Sequence, residues 1–371
     1  MARIIGILDL HNDPSLGQLT KEQPVGSTSF LGRYALMDFA LSNFANSGIN
    51  IIELFNPYHT DSIRSHIRTG NVWVTNTKLG FVRIFVNEEK MNDIYFNTDI
   101  NNMLANIKTM KSVGGDYVVI ANSHFLYSCN FKNLVEELEN SGADILSVYK
   151  NVSEEIEDYF SSDSYMLGGN KIISSKNLND AEGVKHVSLD TYVMKTSTLY
   201  QLLEIAHKKS QAASLRSTIN DVINDGLANV VGYEFDGYVV PILSFEHYIK
   251  HSLKLLSYNY RKQLFLESWP ILTTTHNTPP ALYGENADVK NSFVANGSVI
   301  KGTVRNSILS RDVIVEEGAV VEDCILFTDT LIGKGVKISN IVANKKVKII
   351  NVDSLKGTKD KFAYIKREEI I

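Results

Sequence analysis

Arg3–Leu10 (RIIGILDL), His11–Gly26 (HNDPSLGQLTKEQPVG) and Gly32–Gly48 (GRYALMDFALSNFANSG) open the chain in that order, and their reading decides the fold. The first is an apolar run of strand length. The second is a polar loop, and the third has the apolar period of a helix. A strand, a loop and a helix in this order is where phosphates usually sit, because helix N-termini and glycine amides offer unpaired donors. This loop has no glycine pair, and Lys21 is its single fixed cation. Three acids, Asp9, Asp13 and Glu22, occupy the strand end and the loop. The frame is that of a nucleotide site without the residues that hold a nucleotide.

Further along, strand-length apolar runs alternate with helical patterns. Asn50–Asn56, Asp116–Asn122, Asp144–Tyr149, Thr191–Met194 and Asn229–Phe235 read as strands. Thr98–Lys111, Phe131–Asn140, Ser197–His207, Leu215–Gly226 and Phe245–Tyr258 read as helices, and Gly168–Asp180 as a hairpin or loop. Such alternation predicts an α/β, Rossmann-like domain over residues 1–255, with a mainly parallel sheet covered on both faces. Ligands then belong at the carboxyl ends of the strands. Residues 256–283, with the proline- and threonine-rich WPILTTTHNTPPALY, form a linker.

Residues 284–371 follow another period. Val294, Ile300, Ile308, Ile314, Val320, Leu326, Ile332 and Ile338 are six apart, except for one step of eight between Ile300 and Ile308. Helices repeat at 3.6 and strands at 2, so a sustained six predicts a left-handed hexapeptide β-helix with these residues inward. Gly302, Gly318, Gly333 and Gly335 suit its corners.

The 371 residues, 44% of them hydrophobic and 21% charged, are enough for two soluble domains. The net charge of −5 and the lack of a basic block argue against nucleic acid. Cys129 and Cys324 stand in unlike contexts, which argues against a disulfide framework and a cysteine-rich metal site. No signal peptide pattern and no apolar run of membrane-spanning length occur, so a cytoplasmic protein is expected, with no membrane partner.

Several segments carry a resemblance. Arg33–Gly48 (RYALMDFALSNFANSG), Tyr58–Gly70 (YHTDSIRSHIRTG), Tyr95–Thr98 (YFNT), Val118–Tyr127 (VVIANSHFLY), Val187–Met194 (VSLDTYVM) and Trp269–Thr273 (WPILT) resemble motifs of the bacterial ADP-glucose pyrophosphorylases. These are the glucose-1-phosphate adenylyltransferases of glycogen synthesis, and the resemblance covers nearly the whole chain. It implies a nucleotidyltransferase domain followed by a β-helix.

The departures gather at the chemistry. The family's loop is G-G-x-G-x-R-L; its glycine pair falls on Leu10 and His11, its third glycine on Asp13 and its arginine on Ser15. The lysine–proline that follows falls on Val25 and Gly26. The aspartate that the resemblance makes a Mg²⁺ ligand falls on His124, and a second family aspartate on Pro241. Imidazole is a poor magnesium ligand and proline has no donor atom. A scaffold kept with its chemistry erased is similar to the GlgD-type subunit, taken as non-catalytic. That likeness implies a regulatory subunit that pairs with a catalytic paralogue in a heterotetramer, self-associates to a dimer or tetramer, and boosts ADP-glucose formation. No cofactor is expected.

Tyr95 and Ser188 fall on positions that contact glucose 1-phosphate in the family, and Arg33 keeps a positive charge near the cleft. These three are candidates for a sugar-phosphate or effector pocket, although structural retention or a solvated charge explains them too. The family's basic doublet appears as Glu22 and Gln23. His124 reads as a relic position, and Asp38, Asn43, Asn46 and Ser47 as capping or buried hydrogen-bonding groups. His59 and His66 lack a third metal ligand.

Three other functions compete. An active adenylyltransferase with a rebuilt Mg²⁺ site needs Asp9, Asp13, Asp93 or Asp99 to converge. A hexapeptide acyltransferase needs a β-helix histidine, and none follows His276. A sugar-phosphate sensor would bind such ligands without turnover.

Overall fold

The computed structural model describes residues 2–90, 92–93, 95–181 and 183–371. Nine strands make the main sheet: β1 (Ile4–Asp9), β2 (Ile51–Phe55), β3 (Phe81–Phe85), β4 (Tyr117–Ala121), β5 (Ile145–Val152), β6 (Asp163–Gly168), β7 (Lys171–Asn177), β8 (Lys185–Lys195) and β9 (Val230–Glu234). Their order is β3-β2-β1-β4-β8-β5-β9-β7-β6. The sheet is mixed, which corrects the expectation of a mainly parallel one. Parallel pairs join β1 to β2 and β4, β2 to β3, and β5 to β9. Strand β8 runs antiparallel to β4, β5 and β6, and β7 antiparallel to β9 and β6. The reason lies in the connections. A parallel neighbour needs a crossover of about a dozen residues, and among the described residues no α-helix separates β5, β6, β7 and β8. The polar segment Gly168–Asp180 is the returning arm of the β6–β7 hairpin.

The helices are α1 (Asp38–Asn46), α2 (Thr60–Ile67), α3 (Asp99–Ala105), α4 (Ile107–Val113), α5 (Phe131–Ser141), α6 (Thr196–Lys209), α7 (Leu215–Asn224), α8 (Phe245–Lys254) and α9 (Tyr258–Leu264). Helix α1 starts six residues later than the sequence period suggests. Ser29–Phe30 and Tyr34–Ala35 form a small hairpin instead. Gly32 takes φ 74° at its turn, and a Cβ there would lie 2.7 Å from the Leu309 carbonyl oxygen. The turn therefore docks against the C-terminal domain, which only glycine allows. The single helix expected over Thr98–Lys111 is divided at Asn106, whose side-chain amide donates to the Asn102 and Val86 carbonyls. Apolar cores fill both sheet faces, Leu41, Phe44 and Trp73 on one and Ile7, Met103 and Leu203 on the other. No described helix is long and apolar enough to cross a membrane.

The C-terminal repeat folds into three five-stranded parallel sheets stacked as a β-helix. Ile300, Val315, Ile332 and Ile349 stack in one inward column. Val304, Val321 and Ile338 form the second, and Leu309, Leu326 and Ala343 the third. Leu326, Ile332 and Ile338 point inward as expected. Ile308, Ile314 and Val320 do not; the inward residues there are Leu309, Val315 and Val321. The central coils repeat every 17 residues, as in the pairing of Ile308 with Ile325 and of Val320 with Lys337. One corner per coil is thus a residue short of three full hexapeptides. Asn306, Asp323 and Asn340 mark that corner with φ of 47°, 51° and 53°, a left-handed conformation that Asn and Asp tolerate. Gly318 and Gly335 mark another, with φ of 70° and 73°. A strict six-residue count runs one position out of phase across each short corner. Ile308 is still buried: with Ile325 and Val342 it faces outward and packs on Phe30, Tyr248 and Leu264 of the N-terminal domain.

One strain in the sheet gives a testable pH effect. Glu53 on β2 is 1% exposed, and its Oε1 has no hydrogen-bond partner among the described residues. Burial pushes its pKa up to about 7, against the opposing pull of the Arg83 charge. A carboxyl whose folded pKa is raised costs stability as pH climbs from its unfolded value towards 7, and the cost is complete above 7. Glu53→Gln is expected to raise unfolding stability by about 1–3 kcal/mol at pH 8. That gain should fade by about pH 4–5 in urea titrations.

Candidate functional site

At the carboxyl ends of β1 and β4, residues 10–16 lie against the loop that follows β4. Leu10 and Leu16 are buried there, and Asp13 is drawn in with them. Asp13 Oδ1 lies 2.7 Å from His124 Nδ1 and accepts from the Ser123 amide at 3.3 Å. The Ser123 hydroxyl donates to its Oδ2. On the far side of the ring, His124 Nε2 lies 3.5 Å from Asp190 Oδ2. Arg216 Nη1 is 3.4 Å from the same oxygen, while its Nε donates to Asp163 Oδ2 at 2.7 Å. The result is a row of alternating sign, deeply buried at His124 and Asp190 and partly buried at Arg216: Asp13, His124, Asp190, Arg216, Asp163.

Local backbone geometry delivers these groups. Pairing of β8 with β5 shifts register between Ser188 and Thr191, and Asp190 within that bulge has φ 48°. A bulge re-aims a side chain, here towards His124. Ser188 Oγ donates to Asp190 Oδ1 at 3.1 Å and accepts from Tyr165 at 2.8 Å. Tyr192 donates to the same Asp190 oxygen at 3.2 Å. Arg216 comes from the first turn of α7, which a Ser214–Ser217 capping box fixes.

Electrostatics follow from this packing. Burial raises the Asp190 pKa, but the charges of Arg216 and His124 and its hydrogen bonds overcome that and bring it down to about 2. Burial works against a charged His124. The hydrogen bonds and charges of Asp13 and Asp190 outweigh it, so the imidazole pKa lies above its ordinary value. Arg216 is raised, foremost by Asp190. The imidazole thus sits between two carboxylates, which favour its protonated form against the pull of burial.

A second knot lies beside it. Asn12 Nδ2 donates to Asp9 Oδ2 at 2.8 Å and to Asp99 Oδ2 at 2.7 Å, and His11 Nδ1 is 3.0 Å from Asp9 Oδ1. Asp99 also accepts from the Leu215 amide at 2.9 Å. Burial and the nearby Asp9 charge raise the Asp99 pKa. Asp93 is occupied by the amides of Tyr95 and Phe96. Each carboxylate that a rebuilt metal site would need thus has its own protein partners. Among the described residues, no group of three or more His, Cys, Asp and Glu could hold a metal ion. A magnesium–nucleotide needs open carboxylate oxygens, and this arrangement does not fit one.

The remaining sequence candidates are dispersed. Pro241 pairs with Phe125 in a short ladder, and the Ile242 amide donates to the His124 carbonyl at 2.8 Å. Ser15 is exposed and caps the Gly17 amide at 3.2 Å. Val25 is buried in the interdomain core. Tyr95 is 79% exposed whereas Ser188 is fully buried, so the two do not share an open pocket. Asp38 accepts from the Ala35 amide and lies 2.6 Å from His66 Nε2. Asn43 bridges the Tyr127 carbonyl, the Cys129 amide and the Trp269 indole.

Arg33 lines a cavity of about 350 Å³ between the domains, with Arg261, His276 and Arg311 and the rings of Tyr34 and Phe293. Burial lowers the Arg311 pKa, and the nearby Arg33 charge lowers it further. A second interdomain cavity of about 310 Å³ is lined by Lys21, Glu22, Gln23, Lys345, Lys366 and Arg367. Both carry a surplus of cations.

Sequence reading missed Asp190, Arg216 and Asp163. One of the three left a signal. In the segment VSLDTYVM, set against the family's A-S-M-G-I-Y-V-F, Asp190 stands on a glycine. An acid in place of a glycine that permits positive φ is worth a question. Arg216 and Asp163 left none, because only the fold brings them near.

Comparison with known proteins agrees with this architecture. The family model for nucleotidyl transferases matches residues 15–160, and that for the GlmU-like C-terminal hexapeptide matches residues 279–357. The chain is 26% identical over 357 residues to the "Glycogen biosynthesis protein GlgD" of Bacillus subtilis, covering 96% of this chain and 93% of that protein. It is 29% identical over 321 residues to a "Glucose-1-phosphate adenylyltransferase" of Clostridium botulinum, covering 84% and 81%. Another protein of that name, from Acetivibrio thermocellus, is 27% identical over 339 residues, covering 90% and 79%.

Proposed function

We propose that the chain, which is similar to nucleotidyltransferases of the ADP-glucose pyrophosphorylase family, is within that family a regulatory, essentially non-catalytic subunit. It raises ADP-glucose formation by a catalytic paralogue in bacterial glycogen biosynthesis. One observation carries the reading. Where the family resemblance places a magnesium aspartate, His124 is clamped between Asp13 and Asp190. Catalysis of adenylyl transfer rests on neutralising and positioning polyphosphate, and a cleft whose cations are already paired with its own carboxylates has none left for that work.

The partner is the catalytic subunit, in a heterotetramer, and the chain alone forms dimers or tetramers in the cytoplasm. The C-terminal coil, left-handed in this reading, offers open strand edges that a neighbouring subunit covers. The cationic cavity at Arg33, Arg261 and Arg311 suits a sugar-phosphate effector. Co-expression with a catalytic paralogue, co-purification, and pyrophosphorylase assays with and without this chain test the proposal. A stable complex with several-fold higher turnover is expected. Separate elution together with unchanged turnover would overturn it.

A further inference from the structure

We infer that Asp13 is an internal ligand: its carboxylate fills an oxyanion site built by the Ser123 amide, the Ser123 hydroxyl and the His124 ring. Three donors from two adjacent residues at the end of β4 converge on one carboxylate. Carboxylates and phosphate oxygens accept from the same donors, so the geometry is that of a bound oxyanion with the anion supplied by the chain itself. The contact is deeply set, since the side chains of Asp13 and His124 are each 2% exposed. It is also closely packed. A Cβ on Gly26 would come within 2.9 Å of the Leu10 side chain and 3.1 Å of the Ser123 hydroxyl oxygen. Residues 10–16 therefore act as a strap that closes the strand ends, with Asp13 as its clasp.

Charge counting narrows the ligand. In the row His124 and Arg216 face Asp13, Asp190 and Asp163. Removing Asp13 takes one negative charge out of the row. A small monoanion restores the charge of the intact row, whereas a dianion adds one more buried negative charge, which is costly. The emptied site should therefore take formate best and inorganic phosphate mainly in its monoanionic form. This holds whether or not the chain activates another subunit, because the test needs this chain alone.

Asp13→Ala removes the clasp without touching the donors. Thermal unfolding and calorimetry would be run with sodium formate, inorganic phosphate and a chloride control at matched ionic strength. The variant is expected to melt below wild type and to recover saturably with formate. Its affinity for formate should exceed that of wild type by at least about tenfold (about 1.4 kcal/mol). Adding Ser123→Ala should weaken that recovery. Equal responses to formate and chloride, or wild type binding formate as tightly as the variant, would overturn the inference. Should Asp13→Ala fail to fold, refolding yield decides between the two: a higher yield in formate than in chloride supports the inference, and equal loss in both refutes it.

Discussion

Purified alone and given Mg-ATP and glucose 1-phosphate, the chain is expected to form ADP-glucose at least about 10⁴-fold more slowly than the Clostridium botulinum relative assayed beside it. The magnitude comes from missing charge. A cation about 4 Å from a developing negative charge is worth up to about 4 kcal/mol at an effective dielectric near 20, which is roughly 10³ in rate. Ser15 and Val25 stand where the resemblance has an arginine and a lysine, and His124 and Pro241 where it has two acids. The acid nearest to replacing them, Asp13, is already bound to His124. Turnover within about tenfold of the relative would mean that the strap opens and the acids regroup around metal.

Asp190→Ala is the substitution expected to cost most stability, about 3–5 kcal/mol. It leaves the buried His124 and the half-buried Arg216 with one acid each, and it takes the acceptor from Ser188 and Tyr192. Because burial and partners set the Asp190 pKa at about 2, its contribution is present above the unfolded carboxylate value of about 4. It is lost only as pH falls through about 2. The deficit measured in urea should be fully present at about pH 5 and shrink below about 4. The double variant with His124→Ala should cost less than the two single changes summed, since they share one row. Asp190→Gly separates backbone from charge: it relieves the φ of 48° yet should still lose most of the stability.

The architecture was readable where the pattern was periodic. The opening strand, the six-residue aliphatic spacing and the strand–helix alternation all report side-chain direction, which sequence records directly. What sequence does not record is how strands meet. Strand β8 carries the same apolar run as a parallel strand, and its antiparallel insertion between β4 and β5 follows from helix-free connections. The phase of the β-helix was lost at corners one residue short, where Asn306 and Asp323 turn in the left-handed region. At the site, sequence showed departures from the resemblance, at Leu10, His11, Asp13, His124 and Pro241. The replacement, a salt-bridged row, joins residues up to 203 positions apart (Asp13 and Arg216), and no local pattern announces such a meeting.

The central claim is that residues 9–26 and the end of β4 have no room or charge for a polyphosphate and its magnesium. Soaking crystals of this chain with Mg-ATP and collecting anomalous data with manganese in place of magnesium tests it most directly. No metal peak between Asp13 and Asp190, and no triphosphate density along the strap, is the predicted result. A manganese peak ligated by those two carboxylates, with the triphosphate seated on residues 9–26, would contradict it.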